Sequence, residues 1–264
     1  MHTLKTPRQT GDGRRIGLRP AGFALVAWVA ATLSGPAGVA VNSPSTITHR
    51  VIIQPVITKT TDGTTAMYFG SSASETYIKD QIDEIWAQSG VVIEWLPATT
   101  YTDNFAYDGR PTNYSSSNRP TSHLGTIING APAPPRSPDA TVLSMFFVEI
   151  CPGFKQTSDN TANGLAYVDG NGSTVHVGAN LVTWTAGRDV VASVVAHEIG
   201  HNLGLGHSSG NGRSDNLMTP GSNEERLLAS QTDTIFQNNS GIDSYDFLKE
   251  FVVDSNYTQW ANLE

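Results

Sequence analysis

Apolar residues recur along this chain with two different periods, and the switches between them mark its elements. Residues 49–58 (HRVIIQPVIT) are dense in β-branched side chains and predict a strand, with Pro55 pointing to a bulge or an edge. In residues 75–90 the period lengthens: Ile78, Ile82, Ile85 and Trp86 fall at i, i+4, i+7 and i+8, one stripe of a helix. Ser72 and Ser74 offer a cap at its start, Glu75 suits its first turn, and Gly90 stops it. Residues 91–96 (VVIEWL) return to a strand. Strand, helix and strand in so short a stretch form a βαβ unit, whose strands run parallel in one sheet.

Residues 97–140 carry no such period. Runs such as YSSSNRP and APAPPRSPDA are rich in Ser, Asn and Pro and predict a long surface excursion, broken only by a short apolar stretch at 126–128. Residues 141–150 (TVLSMFFVEI) predict a buried strand. Residues 164–168 and 174–177 predict a hairpin around Asp169-Gly170-Asn171-Gly172. Residues 187–203 place Val190, Val191, Val194, Val195, Ile199 and Leu203 at helical spacing. Farther on, residues 226–238 predict a helix capped near Ser230, and residues 244–252 a short helical piece.

The N-terminal end follows another rule. A basic stretch precedes residues 21–33 (AGFALVAWVAATL), an uncharged apolar run of 13 residues. That is short of the ~20 residues a membrane span needs but fits the apolar part of a signal peptide. With small residues Gly38 and Ala40 as the exit, residues 1–40 are expected to be a signal peptide and residues 41–264 the mature domain. Arg14-Arg15 leaves both the general and the twin-arginine export routes open. A secreted or periplasmic protein is expected, without stable membrane insertion after processing.

Composition narrows the picture further. A chain of 264 residues has room for one ordinary domain beyond such a segment. Of its 16 basic residues, Lys5, Arg8, Arg14, Arg15 and Arg19 lie in the first forty, against one acid, Asp12, so the remainder is more acidic than the overall net charge of −8. That surface repels phosphate backbones, and nucleic acid is not an expected partner. Cys151 is the sole cysteine, which forbids an internal disulfide and reads as a buried structural thiol.

Candidate chemistry is concentrated in His197-Glu198-Ile199-Gly200-His201-Asn202-Leu203-Gly204-Leu205-Gly206-His207. Positions four apart on a helix differ by about 40° around its axis, so His197 and His201 face one side, one turn apart, and can share one metal ion. Gly204 can take the left-handed conformation that ends a helix and turns the chain back, which would bring in His207 as a third ligand. Three protein ligands leave a fourth tetrahedral position for water, the mark of a catalytic rather than a structural zinc site. Glu198, beside His197, is placed to act on that water as general base. His123 and His176 read as ordinary surface or strand histidines.

This eleven-residue stretch resembles the extended zinc signature of the metzincin metallopeptidases. Asn216-Leu217-Met218-Thr219-Pro220 is similar to their methionine-containing turn, with Met218 as the methionine beneath the metal. Ser208 after the third histidine, and Thr219-Pro220 after Met218, resemble the matrixin branch in detail. Cys151 is not in a cysteine-switch motif, and too few residues separate Ala40 from the first strand for a matrixin pro-domain.

The resemblance implies an α+β catalytic domain: a twisted, mostly parallel sheet with one antiparallel edge strand, an active-site helix, and a small irregular C-terminal subdomain. The upper part would run to about residue 207 and the lower from 208 to 264. It implies a zinc endopeptidase holding one zinc on His197, His201 and His207, with Glu198 as base; a monomer is expected. Substrate would lie extended along Gly164, Leu165, Ala166 and Tyr167, with side-chain preference set near Val194, His197 and the segment after Met218. For Asp169 to Ser173 a plain hairpin turn is the first reading and a calcium loop the second. Two other functions share the zinc chemistry: a secreted zinc- or protein-binding module without turnover, and a zinc hydrolase acting on non-peptide amides such as cell-wall components.

Overall fold

The structure, a computed structural model, describes residues 24–27, 45–109, 119–130, 135–155, 158–208, 215–221, 223–239 and 246–251. In chain order its elements are β1 (Ala24–Ala27), β2 (His49–Lys59), α1 (Ser72–Ala87), β3 (Val91–Trp95), β4 (Thr99–Thr102), α2 (Asn104–Asp108) and α3 (His123–Ile128). There follow β5 (Leu143–Phe147), β6 (Ala162–Tyr167), β7 (Ser173–Val177), α4 (Thr185–Asn202), α5 (Ala229–Asn238) and β8 (Lys249–Glu250).

The βαβ unit forms as the periodicity predicts. β2 and β3 pair in parallel from His49 opposite Val91 to Ile53 opposite Trp95. α1 begins at an Asx-like serine cap one turn ahead of the predicted start, where the Ser71 side chain accepts from the Ser74 amide at 3.3 Å. Gly90, at φ 74°, turns the chain into β3.

The central sheet runs β6-β7-β5-β2-β3, with β7, β5, β2 and β3 parallel and β6 antiparallel to β7. This is a mixed α/β fold with a mostly parallel sheet. Three further strands complete it: β4 pairs in parallel with the second half of β2, β8 pairs antiparallel with His49 and Arg50, and β1 pairs antiparallel with β6.

Alternation along the strands builds two apolar layers. Val51 and Ile53 of β2, Met145 and Phe147 of β5, and Ala162 of β6 face the main core, where Ile78, Ile82, Ile85 and Trp86 of α1 meet Val191, Val194, Val195 and Ile199 of α4. Val56, Phe146 and Leu165 point to the other face and meet Ala106 of α2 and Leu124, Ile127 and Ile128 of α3.

That second layer corrects the expectation for residues 97–140. Of its described residues, 99–108 and 123–128 form a strand and two short helices that cover the sheet instead of running over it as an excursion. Pieces of four to six residues are too short to show a period, so their apolar side chains look isolated in sequence.

The C-terminal expectation is also corrected. Phe247 is buried in the main core, Lys249 and Glu250 form β8 rather than a helix, and the Phe251 amide donates to Thr48 O at 2.8 Å. An available edge at the start of β2 decided the conformation, not local propensity. α5 starts at Ala229, three residues after its predicted first residue, with Leu228 rather than Ser230 at its cap.

Of the expected signal peptide, only 24–27 lies among the described residues; the cleavage site after Ala40 lies outside them. No helix among the described residues is long and apolar enough to cross a membrane.

Candidate metal centre

α4 carries His197, Glu198 and His201 into the interior, where all three are buried. The helix closes at Leu203, and Gly204 follows with φ 96°. A side chain there would also collide with Asn238 of α5, so glycine is required for conformation and for space. The Leu205 amide returns to Gly200 O at 2.9 Å, and the chain then brings half-buried His207 back to the two helical histidines.

The three rings converge, with centroids 4.7 Å apart for His197 and His201, 4.8 Å for His201 and His207, and 5.3 Å for His197 and His207. Their candidate ligand nitrogens all lie within 4.8 Å of one another. His201 Nε2 and His207 Nε2 are 3.2 Å apart. Two ligands each about 2.0–2.1 Å from a tetrahedral ion stand roughly 3.3–3.4 Å apart, so the group fits a zinc ion.

Backbone carbonyls fix the ring tautomers. His197 Nδ1 donates to Leu217 O at 2.6 Å and His201 Nδ1 donates to Leu205 O at 2.7 Å, which leaves Nε2 of each as the lone-pair nitrogen. His197 Nε2 is buried and has no hydrogen-bond partner among the described residues. Burial pushes His197 down to about 4 and His201 down to about 2, with charge on neighbouring histidines adding to both; burial also lowers His207. All three are therefore neutral near pH 7, the state in which imidazole binds a metal.

Glu198 is fully buried and neither carboxyl oxygen has a hydrogen-bond partner among the described residues. Burial raises its pKa well above the ordinary value. A buried acid with no partner is costly, and a cation beside it reverses that cost by favouring the carboxylate. The carboxyl group lies against β6 at Gly164.

Met218 is buried beneath α4, with Sδ where a side chain at Gly200 would have to go. Its turn is built by Asn216, whose Oδ1 accepts from the Met218 amide at 3.0 Å and whose Nδ2 donates to Gln231 of α5 at 2.8 Å. The same turn presents Leu217 O to His197, so it orients that ring as well as packing under the helix.

Gly164, Leu165, Ala166 and Tyr167 lie on β6, and all four pair with β1, so in this structure the predicted edge strand is not the edge of the sheet. Val194 is fully buried in the main core. A cavity of about 310 Å³ between α1 and β3, lined by residues including Arg50, Lys79 and Trp95, shares no residue with the histidine group.

Cys151 is buried, with its thiol pushed up to about 12 by burial, and takes no part in the metal group. His176 is buried in β7, and half-buried His123 packs edge-on to Phe105 at 4.9 Å. Asn171 Oδ1 accepts from the Ser144 amide at 2.9 Å and its Nδ2 donates to Val142 O at 2.7 Å, so its side chain anchors the hairpin turn.

Sequence reasoning missed Asn202. Its Nδ2 donates to Tyr167 O at 3.1 Å, Gly170 O at 2.7 Å and Gly172 O at 3.0 Å, and the Asp169 amide donates to His201 O at 2.9 Å. The signal was its place directly after His201; its partners, about thirty residues upstream, carry no mark in the sequence.

A model described as Metallo-peptidase family M12B Reprolysin-like matches residues 113–208. No curated protein matches the chain. Among solved structures, archaemetzincin from Methanopyrus kandleri shares 16% identity over 70% of this chain and 95% of its own, with a TM-score of 0.44. Archaemetzincin from Archaeoglobus fulgidus, complexed with malonate, shares 17% over 70% and 99%, with a TM-score of 0.42. Metalloproteinase-II from Bacteroides fragilis shares 15% over 76% and 57%, with a TM-score of 0.44. The matching model is reprolysin-like, so the matrixin leaning of Ser208 and Thr219-Pro220 gains nothing from it. The segment that supplies the β6–β7 hairpin, α4 and all three histidines is thus similar to the M12B reprolysin-like metallo-peptidases, and its histidine group fits zinc.

Proposed function

We propose that the protein is an exported, zinc-dependent endopeptidase of metzincin type that hydrolyses internal peptide bonds. One observation carries the reading: a buried carboxyl group without a hydrogen-bond partner stands beside three neutral imidazoles whose tautomers are fixed for metal binding. A structural zinc site needs no such acid, and an apolar core does not tolerate one.

His197, His201 and His207 would hold the zinc, which would supply a Lewis acid for the scissile carbonyl and lower the pKa of water. Glu198 accepts the proton of the attacking water on a carboxylate oxygen and delivers it to the leaving amine. No covalent acyl-enzyme forms. The substrate lies extended along Gly164 to Tyr167 and is held by backbone hydrogen bonds, so binding tolerates varied sequence. The pairing of β1 with these four residues supports this mode, because the strand already accepts an extended partner. Export rests on the basic and apolar pattern of residues 1–40.

The test is Glu198→Gln. The variant should keep full zinc content and lose peptide-cleavage kcat by at least about 100-fold; wild-type rates would overturn the base assignment. Running casein beside cell-wall material separates a peptidase from a hydrolase of non-peptide amides.

A further inference from the structure

We infer that Gly164 is a positioning residue: its missing side chain forms the socket that holds the Glu198 carboxyl group in place. The inference deepens the peptidase reading and rests on it for its kinetic arm only.

Strand alternation puts Ala162, Gly164 and Ala166 on one face of β6, the face toward α4, while Leu165 points to the opposite apolar layer. This face is made only of the smallest side chains, which lets the helix approach the strand. At Gly164 the space a side chain would fill is taken by Glu198. A Cβ there would stand 2.5 Å from Glu198 Cγ and 2.6 Å from both Cδ and Oε1. Ordinary contact is about 3.5–4.0 Å, so a single methyl group and this carboxyl position exclude each other.

Two further facts show that the constraint belongs to the carboxyl group. Gly164 is not among the glycines with positive φ, so its backbone would accept alanine. And the Glu198 carboxyl group, which takes no hydrogen bond from the described residues, packs directly against the bare strand at Gly164. The site is built to bring a proton acceptor against the backbone of the strand along which an extended peptide lies, and Gly164 sets how near it comes.

The experiment is a double-mutant cycle on the zinc-loaded protein with Gly164→Ala, Glu198→Ala and the pair, reading thermal midpoint, zinc content and peptide kinetics. Gly164→Ala should lower the midpoint in the wild-type background but not in the Glu198→Ala background, where the socket is empty of its carboxyl group. With zinc retained, kcat should fall about 100-fold while KM moves by less than about threefold, the signature of a misplaced acceptor and not of lost binding.

Equal drops in midpoint in both backgrounds, or a double variant that fails to fold as the single one does, would overturn the socket. An unchanged kcat in Gly164→Ala would overturn its positioning role. If the wild-type chain proves not to be a peptidase, the midpoint arm still decides whether the two residues share one space.

Discussion

The amide of Asn202 sits one residue past the second helical histidine and donates to carbonyls of Tyr167, Gly170 and Gly172. It fastens the end of α4 to the β6–β7 hairpin and so ties the histidine-bearing helix to the strand beside it. The donor identity is testable by comparing two substitutions. Asn202→Ala removes three hydrogen bonds and should cost about 2–3 kcal/mol in urea unfolding. Asn202→Asp keeps the shape but turns a buried carboxylate toward three carbonyls, and should cost more than alanine does. A milder effect from aspartate would mean that the side-chain oxygen, not the nitrogen, faces the hairpin.

At the scale of elements, α4 and β6 define the site together: the helix supplies two imidazoles and the acid, and the strand supplies the wall against which the acid rests. β1 complicates that wall. Its pairing runs from Ala24 opposite Tyr167 to Ala27 opposite Gly164, the same four residues proposed to hold substrate. Two strands cannot use one edge of β6, so a chain beginning at residue 41 should cleave peptides faster than the full-length chain, mainly through a lower KM. Parallel assays of the two proteins at equal zinc content check this, and equal KM values would show that β1 does not compete. The strand lies inside the apolar run of residues 21–33, so removal of that run would open the edge.

For the whole molecule, packing on both faces of the sheet sets how stability responds to acid. His176, in the middle of the fold, is held down to about 4 from an ordinary 6.5, chiefly by burial. Between those values the unfolded chain binds a proton that the folded chain refuses. Its contribution is therefore complete above about pH 6.5 and is lost as pH falls toward 4, amounting to about 3 kcal/mol. His197 and His201 shift in the same direction, so the comparison must isolate His176. In the presence of a chelator, the wild-type chain should lose about 3 kcal/mol more than His176→Gln between pH 7 and pH 4, measured by denaturant unfolding. Parallel losses would show that His176 stays neutral in both states or charged in both.

The sequence by itself determined whatever rests on neighbours along the chain. The one-turn spacing of His197 and His201, the turn at Gly204 that returns His207, and the stripe of α1 are local in sequence, and local geometry fixes them. The short elements of residues 99–128, the strand at 249–250 and the pairing of β1 with β6 were not legible, because each is stabilised by surfaces far away in sequence. The same holds within the site. That Leu217 and Leu205 orient the two helical imidazoles, that Asn202 ties the hairpin down, and that Gly164 makes room for Glu198 are facts of distance between segments. A sequence names which side chains are present; only packing decides which of them have no space for an added methyl group.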